Sequence, residues 1–586
     1  MRMKKNLFLP FLFSLGFASS CTRGEYSIEI SRSSPDKNVN ICYLDSSAGY
    51  LTLNQDGLFG VKDNQIVRLA NPSDETIPDF LGSCDGINVF ILRYIGGYYG
   101  LRTQEKLLFS DPSNLSSVQT IESFIQSPEN WDNAVVNENK VILEVKRDGQ
   151  WDLYLIDPKN GVAENLTNTP NVDEWLNGVS EGLVVGYDID NRRLFVIDLS
   201  TKQRTNLCDV DNADEVLFSK DGNIVAVQGE TMRGGFAGLE DIVVFNRDKN
   251  KVYKIGIDFG INDPLFLRKV YGEKFVSFEI GRWKVDLGVF DAENGNFYRT
   301  YLTDESLEYI LGYLDNGSVI CGLEDKTGYS RLAIFALPDN TSNMSLQRID
   351  VNYFEYDFRA AIKNVAIFYS VDNDRLVFFN GSDKNFYSPQ LGQKEEFLAQ
   401  LRNGKFLIRA DGKVYLCDVD QFLNNPSNPD NYAKKIAEGL GDIFDENIKD
   451  SEEGRLYFTS GNVLYIYDQN TDQLESFVFD EENEVYPIGE VKSEPYFPNG
   501  RFCVVISDSA LYLVDRAKSS SSCIFKGDLS IDWDDDFRIF VQGLLIGFEY
   551  RDKNDVERVV IYNIEDGSKN EYGGFDREVK RVRNQQ

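Results

Sequence analysis

A pattern of about 45 residues returns twelve times along this chain, and that return limits the fold more than any single residue does. The clearest copy is 141–175, VILEVKRDGQWDLYLIDPKNGVAENLTNTPNVDEW. An apolar run at 141–145 is followed by turn chemistry in Arg147-Asp148-Gly149-Gln150. A second run, 151–156, reverses at Asp157-Pro158-Lys159-Asn160-Gly161 into 162–166. Asp-Gly and Asn-Gly supply the positive φ that tight hairpins need, so the unit reads as a meander of short antiparallel strands. A meander this small cannot close its own apolar faces and must stack on copies of itself.

The copies are marked by an apolar run that ends in Asp or Asn before a polar turn. Such runs end at Asp157, Asp198, Asn246, Asp291, Asn380, Asp418, Asp468, Asp515 and Asn563, with fainter versions at Asp63, Asp111 and Ala336. Upstream in many units a Gly closes a polar turn, as at Gly222, Gly317, Gly404, Gly454 and Gly500. A four-stranded repeat of ~40–45 residues has the period of a propeller blade. The run from Asp148 to Asp157, DGQWDLYLID, followed by Leu166-Thr167-Asn168, resembles the TolB-type propeller repeat. Phe218-Ser219-Lys220-Asp221-Gly222 resembles the blade entry of that repeat. The resemblance is close in two of the twelve units. It implies propeller architecture and carries no function, since such blades serve scaffolds, enzymes and receptors alike.

The expected fold is therefore all-β: tandem β-propellers with about twelve four-stranded blades. Twelve exceeds the typical count of roughly four to eight in one ring, so two six-bladed rings are favoured, 38–350 and 351–586. The division is placed after the sixth unit, in 337–357, where Pro338 to Asn343 interrupts the pattern; seven plus five is the alternative. Forty Phe and thirty Tyr suit the wedges between radiating sheets. The longest insert, 420–438, contains Pro426 and Pro429 and is expected to project from a rim with one helical turn.

The N-terminus has the pattern of a signal. Arg2, Lys4 and Lys5 precede an apolar stretch at 7–17, then Ala18-Ser19-Ser20 and Cys21. Residues 1–20 read as a secretory signal peptide, shorter than the ~20 apolar residues of a membrane span. Ala18-Ser19-Ser20-Cys21 resembles a bacterial lipobox, which implies lipid attachment at Cys21 and a short tether over 21–37. The expected product is exported and membrane-anchored at the bacterial envelope, on the periplasmic face or the cell surface. Plain secretion is the alternative, because Ala18 and Ser20 also suit an ordinary signal peptidase. Loss of the three basic leader residues would take the net charge from −33 to −36. Such a surface repels nucleic acid and favours either solubility or a cationic partner.

Composition removes much chemistry. The chain has no His, which excludes Ser-His-Asp and Cys-His catalysis and imidazole metal sites. No Walker loop and no Gly-x-Gly-x-x-Gly at a strand–helix junction is present. Besides Cys21, seven cysteines (42, 84, 208, 321, 417, 503 and 523) are scattered, mostly in apolar runs, and read as core thiols; a bridge between Cys503 and Cys523 stays open. Carboxylates remain. Asp532, Asp534 and Asp536 alternate along one strand face and could hold a cation or serve as acid and base, although a solvated acidic loop is the commoner outcome. Asp188-Ile189-Asp190-Asn191 and Asp209-Val210-Asp211-Asn212 begin like calcium loops but lack the later Gly and the terminal Glu, so they read as turns. The strand-end Asp and Asn residues are read the same way. No catalytic residue, metal or cofactor is assigned. The expected function is non-catalytic: a binding or scaffolding lipoprotein whose propeller faces dock an envelope protein or glycan. The alternative is a carboxylate-based enzyme acting on polysaccharide.

Overall fold

The computed structural model describes residues 39–572 apart from 45–48, 54–56, 63–64, 71–75, 95–105, 138, 181, 210–211, 234–235, 283, 339–344, 352–355, 441–442, 444–447, 452–453, 480–484, 488–500, 508–509, 527–538, 543–544 and 552–556. These residues form twelve antiparallel four-stranded sheets, each a meander of four consecutive strands. In chain order the sheets occupy 39–70, 76–120, 130–165, 174–209, 212–254, 265–299, 305–351, 356–387, 395–438, 448–478, 486–526 and 539–572.

Local chemistry sets the hairpins. In the third sheet, strands Lys140–Arg147 and Gln150–Asp157 are joined by Asp148 and Gly149, with φ of 53° and 81°. Both central residues lie in the left-handed region, as a two-residue hairpin turn of this type requires. Among the described residues, the Asp or Asn that ends a marked run closes the next turn with its side chain. Asp157 accepts from the Asn160 N–H, Asp198 from Ser200 and Thr201, Asn246 from Lys249, Asp291 from Glu293 and Asn294, and Asp468 from Asn470 and Thr471. These residues are structural, as the sequence reading held.

The core is divided into wedges. Separate apolar clusters lie between successive sheets: Leu58 and Phe90 between the first and second, Val184 and Phe195 with Ile142 between the third and fourth, Val276 and Ile242 between the fifth and sixth. Tyr271 and Val319 join the sixth and seventh, and Leu511 and Phe548 the eleventh and twelfth. A sheet packed on both faces needs apolar residues on both, and strand Leu183–Asp188 is buried at every position. The first strands of neighbouring sheets approach one another, Thr76–Cys84 beside Asn130–Asn137 and Glu174–Ser180 beside Asn212–Phe218, so they form the inner wall and the fourth strands the rim. This is β-propeller architecture. At the ends of the described chain, strand Val39–Leu44 packs beside Ile539–Gln542, Leu545–Arg551 and Glu557–Asn563 of the twelfth sheet.

Three expectations change. The interruption after Ala336 falls inside the seventh sheet, between strands Ser330–Ala336 and Gln347–Val351, so seven sheets precede residue 352 and five follow. Ala336 is the seventh mark rather than the sixth, and it is faint because Ala replaces the turn-closing Asp. The insert at 420–438 does not simply project. Its helix Val419–Asn424 is capped by the Asp418 side chain, which accepts from the Asp420 and Gln421 N–H groups, and Ala433–Glu438 is the fourth strand of the ninth sheet. Phe422 and Tyr432 are buried on Phe378, with ring centroids 5.1 and 6.4 Å away, because burying two aromatic rings outweighs leaving the loop in solvent. Finally, Cys503 and Cys523 lie not in neighbouring strands but on opposite sides of Ala510–Asp515. Cys84, Cys208, Cys321, Cys417 and Cys503 are buried and Cys523 is exposed.

Candidate functional site

Cys21 and the Asp532, Asp534 and Asp536 triplet lie outside the described residues. Asp188 accepts from the Asn191 backbone N–H at 2.9 Å, and Asp190 from the Asp173 N–H at 2.9 Å, which makes 188–191 a turn. Asp209 pairs with Arg193 at 3.0 Å, and 210–211 lie outside the described residues. Among the described residues no group of His, Cys, Asp and Glu has the arrangement of a metal site.

A set of perturbed ionisable groups lies where the fifth sheet meets the sixth. Strands Ile224–Arg233 and Phe236–Asn246 form a hairpin that runs past the first strand of its own sheet and packs on Leu265–Tyr271 of the next. Two first strands bulge here, between Ala213 and Glu215 and between Leu267 and Lys269. A bulge inserts one residue and re-aims its neighbours, and these bulges put Asp214 and Arg268 on the exposed side of the inner wall. The second bulge is held from the neighbouring sheet: Gln228 accepts from the Leu267 N–H at 2.6 Å and its amide donates to Glu240 at 3.4 Å. Glu144 does the same for the fourth sheet, accepting from the Leu176 N–H at 2.5 Å and from Asn133 at 3.0 Å.

The charges are largely engaged with one another. Arg268 donates to both oxygens of Glu279 at 2.8 and 2.7 Å, and this pairing raises its pKa further. Glu240 stands in register opposite Glu230 and has Arg282 at 3.7 Å. Burial pushes the Glu240 carboxyl up; Arg282 opposes the shift and the charges of Asp214 and Glu230 add to it. Burial also raises Glu215, against the pull of Arg268. Lys269, lowered by burial, sits 5.1 Å over the ring of Tyr313, whose hydroxyl is 3.2 Å from Ser277 Oγ. The result is a partly exposed polar patch where the fifth sheet meets the sixth; Trp175, on the first strand of the fourth sheet, is half-exposed.

Sequence reasoning missed this patch, since each residue alone reads as ordinary surface charge. It also missed a set of glutamates at the head of first strands, Glu174 and Glu395 fully buried and Glu305 partly so. Glu174 is fully buried and bound by Arg204 and by Thr169 at 3.1 Å. Glu305 binds Arg348. Glu395 accepts from the Leu376, Leu391 and Gly392 N–H groups at 3.1, 2.6 and 3.4 Å. Burial raises both Glu174 and Glu395, opposed by these partners. Their recurrence at one strand position, visible in the sequence as Glu before an apolar first strand, marks them as fold anchors.

No family model and no curated protein matches the chain. Solved structures similar to it include the tricorn protease, 14% identical with a TM-score of 0.21 over 76% of this chain, which spans 44% of that protein's length. A structure described as TolB from Agrobacterium tumefaciens is 15% identical, with a TM-score of 0.24 over 40% of this chain and 85% of that one. The extracellular domain of a one-component system protein from B. thetaiotaomicron is 12% identical, with a TM-score of 0.21 over 93% of this chain and 77% of that one.

Proposed function

We propose that this protein is a non-catalytic binding or scaffolding lipoprotein of a bacterial envelope, anchored through Cys21, and that it docks a protein or glycan partner on its propeller surface. The observation that carries the reading is the engagement of charge in the patch where the fifth sheet meets the sixth. Glu279 is held by Arg268, and Glu240 by Gln228 and Arg282, while Trp175, on the first strand of the fourth sheet, keeps half of its ring surface exposed. Paired carboxylates and an exposed ring suit recognition, because loops and edges on a rigid repeat scaffold keep their geometry when a partner arrives. The test uses the tethered protein as bait against envelope fractions and a glycan panel. A specific partner lost on Trp175→Ala supports the reading, and turnover of any glycan sinks it.

The anchor has its own test. The native protein should incorporate labelled fatty acid and partition into detergent, and Cys21→Ala should abolish both. A Cys21→Ala protein that stays labelled refutes the assignment.

One observation favours the enzymatic alternative. Burial raises both Glu215 and Glu240, and a raised carboxyl is what a general acid needs. If the protein cleaves polysaccharide, Glu215→Gln or Glu240→Gln should remove turnover while leaving the fold's thermal midpoint within a few degrees.

A further inference from the structure

Packing order along the chain forms an unbroken cycle. Apolar clusters join the first sheet to the second, the second to the third, and so on through to the eleventh and twelfth, including the sixth with the seventh and the seventh with the eighth. The first sheet then packs on the twelfth. Two rings in tandem would need a different graph: the first sheet would return to the sixth or seventh, and one consecutive pair would have no shared cluster. We propose that the twelve sheets close into one ring, sealed where the first sheet meets the twelfth, around a single open bore lined by the first strands.

Spacing decides whether such a ring has a hole. Sheets pack roughly 10 Å apart, so twelve give a circumference of about 120 Å at mid-sheet and a radius of about 19 Å. The first strand lies one and a half strand spacings inward, about 7 Å, which leaves inner strands at a radius of roughly 12 Å. The same arithmetic for six sheets puts the inner strands only about 2–3 Å from the axis, where they close the centre. A twelve-sheet ring therefore keeps a bore about 12 Å wide once side chains extending ~6 Å are placed on its wall. It would accept an extended polymer strand, which a six-sheet centre would not.

The seam differs from the other joints in what it lacks. Among the described residues every sheet is made of four consecutive strands, so no joint shares a strand; the other eleven are crossed by the chain as it passes from one sheet to the next, whereas the seam is held by side-by-side packing alone. This inference stands whether or not the binding reading holds.

The test reads ring number and neighbour order in the full chain. Negatively stained particles should appear as one annulus with a stain-filled centre. Two smaller discs would overturn the proposal, and one disc without a central hole would overturn the bore. In a Cys523→Ser background, spin labels at Gln119→Cys of the second sheet and Lys569→Cys of the twelfth should lie closer together than labels at Gln119→Cys and Glu293→Cys, beside the outer strand of the sixth; all three native residues are exposed. The reverse order of distances would refute the closure.

Discussion

Asp157 and Asp198 each use one carboxylate twice, closing a turn with one oxygen and taking a cation with the other. Asp157 accepts from the Asn160 N–H and binds Lys140, and that bond to Lys140 draws its pKa down to about 2. For Asp198 burial pushes the other way, yet the Ser200 hydrogen bonds and the Arg247 pair prevail and bring it also to about 2. A folded pKa below the ordinary value of about 3.9 stabilises the fold above that value, and the contribution is lost as the pH falls through about 2. Asp198→Asn should therefore flatten the acid limb of a stability–pH curve between about pH 4 and pH 2; an unchanged limb would show that the pair contributes nothing. Glu395 is a different case, since three backbone N–H groups depend on it. Glu395→Ala should cost about 3 kcal/mol in a urea titration by stranding buried donors, and Glu395→Gln, which keeps one acceptor oxygen, should cost less.

At the scale of the element, the short helix Val419–Asn424 shows how an insert becomes part of a core. Phe422 fills the wedge between the eighth and ninth sheets beside Phe378, Phe406 and Tyr432. Phe422→Ala should lower stability by about 3–5 kcal/mol, in keeping with loss of a buried ring. It should also raise the rate of proteolytic cutting in 425–431, because the ring is what pins the loop. If cutting there is as fast in the parent as in the variant, the loop is not pinned through this ring. The strands themselves share a second device. Gly186, Gly288 and Gly322 sit on central or neighbouring strands under the rings of Phe195, Phe278 and Tyr309, each of which occupies the space a Cβ would need. The aromatic ring of one strand thus packs on the bare backbone of the next, and the sheet stays thin where wedges are narrow.

For the whole molecule the two governing facts are modular packing and charge. Each sheet shares its apolar surface only with its neighbours, so stability is a chain of adjacent interfaces rather than one central core. The net charge of −33 sets a long-range field that draws cationic proteins and repels polyanions. Association with a basic partner should slow at least tenfold between low salt and about 0.3 M salt, measured by stopped-flow mixing, while dissociation changes little. Association insensitive to salt would mean that the docking surface does not use this charge.

Strand number, turn positions and sheet order could be read from the sequence because each is decided within a few residues: Asp148-Gly149 makes its hairpin, and Asp291 closes its own turn, wherever the sheet ends up. The twelve marks accordingly coincide with twelve sheets. What meets what could not be read that way. That Gln228 holds the backbone of Leu267, that Glu144 holds Leu176, and that Val39–Leu44 lies beside the twelfth sheet all depend on residues brought together across sheets, and no local signal encodes the partner. The patch of Glu215, Glu240 and Arg268 was invisible for the same reason: a charge on a free surface and a charge beside a neighbouring sheet have the same letter. Only the packing of the fifth sheet's hairpin on the sixth partly desolvates Glu215 and Glu240, and that tertiary contact pushes those carboxyls up.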